Sequence, residues 1–153
     1  MKNIVVLENL RSCYNVWNIL RTADALWRDV ILTWYTPSPY TQPKVKKTSL
    51  WAEETIDIKE FFTTSAALEF LKSQNYTVVA AEVTDTAIDL DTFQQKKPPL
   101  VAIVFGNEVT WVEQDTLSRV DSVVKIPMVW VKESLNVGQT AAIFMRSLKL
   151  INL

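Results

Sequence analysis

Apolar residues along this chain follow two spacings that alternate. Asn3 to Leu7 is a short β-rich run. From Asn15 to Leu26 the apolar positions Val16, Ile19, Leu20, Ala23 and Leu26 share one face of a helix, with Asn15 as its N-cap. Asp29 to Thr33 reads as a second strand, Thr55 to Ile58 as a short strand and Ser65 to Ser73 as a helix capped near Ser65. Thr77 to Val83 is a buried strand after the Asn75-Tyr76 turn, and Pro98-Pro99 closes a polar connector ahead of Leu100 to Phe105, the most apolar strand. Asp115 to Arg119 is a short helix, Ser122 to Ile126 the last strand and Val137 to Leu150 the closing helix. Continuously apolar strands that alternate with helices predict an α/β domain, its mainly parallel sheet flanked by helices. No internal repeat, low-complexity tract or linker interrupts this order, so residues 1–153 are read as a single domain with no appended RNA-binding domain.

Composition narrows the chemistry. With 48% of its 153 residues apolar, the chain carries enough material for a full core. It shows no apolar run of about 18 residues and no signal-peptide pattern, so a cytoplasmic protein without a membrane span is expected. Histidine is absent and Cys13 is the single cysteine, which excludes Ser-His-Asp and Cys-His catalysis, an internal disulfide and the usual zinc sites; no metal is expected. Carboxylates, Arg, Lys, Ser, Asn or a cofactor must carry any reaction. A net charge of −1 argues against a protein that coats nucleic acid by charge alone. A local basic loop remains: Tyr35 to Ser49 holds Pro37, Pro39 and Pro43, then Lys44, Lys46 and Lys47, which are candidate RNA contacts.

The densest polar chemistry lies where Ile126-Pro127-Met128-Val129-Trp130-Val131-Lys132-Glu133-Ser134-Leu135-Asn136-Val137-Gly138 runs into the closing helix. A strand end, a polar loop and a helix N-terminus in succession make a place to hold a ligand by backbone amides and the positive end of a helix. This stretch resembles the third signature of the SpoU-type (TrmH-like) branch of the SPOUT RNA methyltransferases. Asn15-Val16-Trp17-Asn18-Ile19-Leu20-Arg21-Thr22-Ala23-Asp24 resembles the first, and Val104-Phe105-Gly106-Asn107-Glu108-Val109 the second. Three signatures in the right order make the match specific. The resemblance implies a C-terminal deep trefoil knot, an exception to ordinary chain topology, with S-adenosylmethionine bent among three loops at Ala81, Gly106, Ile126, Met128 and Leu135. It implies methylation of a ribose 2′-hydroxyl in tRNA or rRNA. Arg21 matches the catalytic arginine, with Asn15, Glu108, Ser134 and Asn136 orienting it and the ribose. It also implies a homodimer joined through the first and closing helices.

One departure is systematic. Trp17, Trp27, Trp51, Trp111 and Trp130 stand where the resembled patterns have glycine, and only Gly106 and Gly138 remain in the chain. A single cause covers all five: UGA codons read as glycine in the source lineage but written as tryptophan. Trp34 would be a sixth case. If the tryptophans are what is made, bulky rings beside the cofactor loops fill part of the pocket. The alternative function is then a knotted RNA-binding protein without catalysis.

Overall fold

Among the described residues, seven strands form one sheet, and every ladder in it is parallel. They are β1 (Ile4–Leu7), β2 (Asp29–Thr33), β3 (Ile58–Phe61), β4 (Thr77–Ala81), β5 (Ile88–Asp89), β6 (Val101–Phe105) and β7 (Ser122–Lys125), in the spatial order β3-β2-β1-β6-β4-β7-β5. The structure, a computed structural model, describes residues 2–43, 52–129 and 134–148. Lys44, Lys46, Lys47, Trp51 and residues 130–133, Trp130 among them, lie outside the described residues. Among the described residues the helices are α1 (Cys13–Ala25), α2 (Thr64–Ser73), α3 (Leu90–Gln95), α4 (Gln114–Arg119) and α5 (Val137–Ser147), with a 3-10 turn at Ala52–Glu54.

The strand sequences explain the order. β1 and β6 are buried at every position, so they take the middle of the sheet, where helices cover both faces. Alternate residues then divide the core. Val5, Leu7, Ile103 and Phe105 face α1 and α5, where Ile19, Leu20, Phe144 and Met145 are buried. Ile4, Val6, Ala102 and Val104 face the opposite layer, where Ala67, Leu68 and Leu71 of α2 pack. Each fully buried large side chain contributes about 1.5–3 kcal/mol, so the two layers together hold the sheet's register.

Two polar anchors fix the ends of this frame. Glu8, just past β1, is buried and accepts hydrogen bonds from the Glu113 amide at 2.9 Å and from the Thr116 hydroxyl, which pins the start of α4. Burial pushes its carboxyl above the ordinary value, against those hydrogen bonds. At the opposite corner Arg28 is buried, and its Nη2 donates to the carbonyls of Met145 and Leu148, each at 3.2 Å. The Asn3 side chain donates to the same Leu148 carbonyl at 2.8 Å. A cation at the C-terminal end of α5 satisfies orphan carbonyls and complements the helix dipole.

Several boundaries differ from the sequence reading for local reasons. The N-cap of α1 is Ser12, whose hydroxyl accepts from the Asn15 amide, so Asn15 lies inside the helix and its side chain is released for other bonds. Likewise Thr63 rather than Ser65 caps α2. The short strand expected at Thr55–Ile58 begins only at Ile58, because Ala52–Glu54 is a 3-10 turn whose Ala52 carbonyl takes the Thr55 and Ile56 amides. The polar connector hides β5 and α3, too short and too polar to show a period.

Replacing Arg28 by Met is expected to lower stability by about 2–3 kcal/mol, the cost of losing charged hydrogen bonds to buried carbonyls. Urea unfolding at neutral pH checks this through a lower midpoint at unchanged slope; a loss under about 0.5 kcal/mol would show the cation to be dispensable.

Candidate functional site

In an open parallel sheet, ligands bind beyond the carboxyl ends of the strands. Here the ends of β4, β6 and β7 open into a cavity of about 240 Å³. Ala81, Glu82 and Val83 line it from β4, Gly106, Asn107, Glu108 and Trp111 from the loop after β6, and Ile126 and Met128 from beyond β7. Ser134, Leu135 and Asn136 close it from the lead-in to α5, with Phe144 at its floor. Apolar walls with a polar rim suit a ligand that has one flat apolar body and one hydrogen-bonding edge.

The loop after β6 is built around Asn107. This buried side chain accepts from the amides of Val109 at 2.8 Å and Thr110 at 3.1 Å, and donates to the Asn9 carbonyl at 2.6 Å and the Tyr35 hydroxyl at 3.2 Å. The backbones of Asn107 and Trp111 bond each other in both directions. The turn passes so close to β6 that a Cβ on Gly106 would lie 2.2 Å from the Val112 nitrogen and 2.3 Å from the Trp111 carbonyl carbon, so only glycine fits there.

That rigid turn aims Glu108 at the start of α1. Its carboxylate accepts from the amides of Arg11 at 3.0 Å and Ser12 at 3.1 Å, and from the Asn15 side-chain amide at 2.9 Å. Because an ionised carboxylate only accepts, the Asn15 NH2 group must face it and the Asn15 oxygen must face away. The Asn136 side chain donates to that oxygen at 3.2 Å, which leaves its own oxygen to accept the Gly138 amide at 2.8 Å and cap α5. One carboxylate thereby orients two amides and joins the N-termini of α1 and α5 at the rim of the cavity.

Of the site residues expected from sequence, Asn15, Glu108 and Asn136 are joined by hydrogen bonds. Ala81, Gly106, Ile126, Met128, Ser134 and Leu135 line the same cavity as Glu108 and Asn136. Arg21 stands apart: it is exposed on α1, with its guanidinium 5.5 Å from the ring centre of Trp17. Sequence reasoning missed Asn107, whose side chain bonds mainly to backbone groups of its own turn and of Asn9, and Glu82, which accepts from the Val112 amide at 3.2 Å and fixes the far side of the turn. A glycine followed by Asn was the available signal for the first; no pattern marks the second.

Burial alone would raise the Glu108 carboxyl, but the Arg11 amide, the Asn15 side chain, its own amide and the Ser12 amide outweigh it and hold the group below the ordinary value. A lowered acid adds stability above its unfolded value, about 4.3, and that stability is lost as pH falls through the lower folded value. The Glu108→Gln protein is accordingly expected to be less stable than the parent at pH 7, with the difference closing on acidification below about pH 4. Urea midpoints across pH 2–7 measure this, and a difference that persists at the acid end would mean the ionised form is not what holds the turn.

The SpoU rRNA Methylase family matches residues 2–146. The tRNA (guanosine(18)-2′-O)-methyltransferase of Thermus thermophilus is 31% identical over 142 residues, covering 92% of this chain and 71% of that protein. The Escherichia coli protein of the same name is 28% identical over 142 residues, and the chain spans 60% of its length. Among solved structures, the SpoU methyltransferase AviRb from Streptomyces viridochromogenes, in complex with the cofactor AdoMet, superposes with a TM-score of 0.85 at 20% identity, covering 96% of this chain and 59% of that one. A structure described for the 2-OH methylation of C/U34 on tRNA superposes at 0.82 with 23% identity, covering 96% and 93%. With the family's match running through all three signatures and every described strand, the chain belongs to the SpoU rRNA Methylase family.

Proposed function

We propose that this chain transfers a methyl group from S-adenosylmethionine to a ribose 2′-hydroxyl of tRNA or rRNA. The observation that carries the reading is the continuous bond series Glu108, Asn15, Asn136 at the mouth of the strand-end cavity. Relatives named as tRNA 2′-O-methyltransferases support the reaction and the RNA class.

The residues present fit the cofactor. Ala81, Ile126, Met128 and Leu135 offer apolar contact for an adenine, and the bare backbone at Gly106 lets a ligand approach where no side chain fits. Bound there, S-adenosylmethionine would supply an electrophilic sulfonium methyl. The chain's own part is positioning, which supplies much of the rate in a transfer of this kind. Asn15 and Asn136, held in one orientation by Glu108, and Ser134 on the cavity rim present hydrogen-bonding groups to the ribose. Arg21, outside the cavity wall, meets the RNA phosphate and the developing alkoxide as a cation that stays protonated. A homodimer through α1 and α5 brings a second subunit to the RNA, and Lys44, Lys46 and Lys47 are further RNA contacts proposed from their charge alone. No described helix is long and apolar enough to cross a membrane, and we place the reaction in the cytoplasm.

A second reading, RNA binding without catalysis, is favoured by one feature: the Trp111 indole, half exposed, lies on the cavity wall.

Calorimetric titration of S-adenosylmethionine and a methyl-transfer assay on tRNA and rRNA separate the two. Arg21→Ala is expected to lower the transfer rate at least about 100-fold while leaving cofactor affinity within about threefold. Leu135→Asp is expected to weaken cofactor binding at least about tenfold by placing an unpaired charge against an apolar ligand face. A folded chain that binds no cofactor would instead support the second reading.

A further inference from the structure

We propose that positions 27 and 111 are glycine in the protein as its own cell makes it, the codon written as tryptophan there being read as glycine during synthesis.

The first observation is the end of α1. Leu26 is the C-cap, the Trp27 amide bonds the Asp24 carbonyl at 3.0 Å, the Arg28 amide bonds the Ala23 carbonyl at 2.8 Å, and Trp27 has φ 54°. This paired bond pattern is the Schellman ending, whose left-handed residue is normally Gly or Asn because a side chain there crowds the following carbonyl. The same chain provides its own control. At the end of α2 the amides of Asn75 and Tyr76 bond the carbonyls of Lys72 and Leu71 at 3.0 and 3.1 Å, and the left-handed residue, φ 61°, is Asn75. Two identical helix endings thus carry one fitting residue and one bulky aromatic.

The second observation is the turn after β6. Trp111 closes it at φ 69° and is half exposed. A left-handed conformation costs an ordinary residue roughly 1–2 kcal/mol, and for a bulky one it is an outlier. At position 27 the residue is half exposed, with Lys2 Nζ 5.2 Å from the ring centre.

The third is how the residue types are distributed. The four positive-φ positions among the described residues outside glycine are Asn9, Trp27, Asn75 and Trp111, and no glycine takes such a conformation. Ordinary usage near 7% would give a chain of this length about 11 glycines; it has 2, beside 6 tryptophans. The Trp17 Nε1 is moreover buried without a partner, where a buried indole usually finds one. A reassigned codon, UGA read as glycine, accounts for the shortage of glycine, the excess of tryptophan and both backbone conformations together. It also removes an indole from the wall of the cavity.

The experiment is peptide mass spectrometry on the protein isolated from the cells that carry the gene, together with the codons themselves. Glycine at 27 and 111, from UGA, is the expected result; tryptophan in either peptide, or UGG codons, overturns the proposal. Recombinant Trp27→Asn and Trp27→Gly chains test its structural basis: both are expected to have a higher urea midpoint than the tryptophan chain, because each relieves the crowding of a left-handed residue. A lower midpoint for Trp27→Asn overturns that basis. Neither readout involves catalysis, so either can fail without touching the methyltransferase reading.

Discussion

The carboxylate of Glu108 is the constraint on which the site depends. It is the one acceptor shared by two backbone amides at the start of α1 and by the Asn15 side chain, and its inability to donate sets the orientation of every amide after it. If it donated, Asn15 could turn over, Asn136 would lose its acceptor, and the cap of α5 would compete with the bond to α1. The lowered carboxyl reports that arrangement: the environment is built for the ionised form. Glu8 shows the opposite case in the same fold. It accepts comparable hydrogen bonds, yet deeper burial outweighs them and raises its carboxyl. Depth decides between the two, and the shallower carboxylate is the one that lines the cavity.

Glu108 can do this only because the sheet brings distant segments together. Asn15 and Glu108 are 93 residues apart, and Asn15 and Asn136 are 121 apart. β6 sits between β1 and β4, so the loop that follows it emerges beside the start of α1, which follows β1. Gly106 then lets the turn fold back against its own strand. The Asn107 side chain freezes that turn from within, and Glu82 holds it from the neighbouring strand end. The carboxylate's aim is therefore set by the central strands, the most deeply buried part of the molecule.

Much of this was legible in the sequence. Continuous apolar runs marked β1, β4 and β6, and the 3.6-residue period marked α1 and α5, because burial on both faces of a sheet or on one stripe of a helix leaves a compositional trace. The signatures named Asn15, Glu108 and Asn136, which hydrogen bonds join in the fold. What stayed hidden was polar and non-local. Ser12 takes the cap that Asn15 was expected to supply, and only the distant carboxylate explains why Asn15 serves better inside the helix. No pattern in the sequence marks Arg28, which reaches carbonyls 117 and 120 residues away. β5 and α3 carry too few apolar positions to show a period at all.

The first signature also shows how a linear motif divides in space. Arg21 follows Asn15 by six residues, which on an α-helix is a rotation of about 600°, or about 120° between the two side chains. Asn15 therefore turns into the fold and is buried, while Arg21 faces solvent beside the partly buried Trp17, four residues before it. Adjacency in the motif does not mean adjacency at the cavity: one residue builds the rim from within, and the other is free to meet whatever approaches from outside. The stacked position of the guanidinium on Trp17 belongs to the written residue. With glycine at that turn of α1 the cation would lose its platform and keep its helix position, which is the freedom a group needs if its partner is an incoming phosphate and not a neighbour in the same chain.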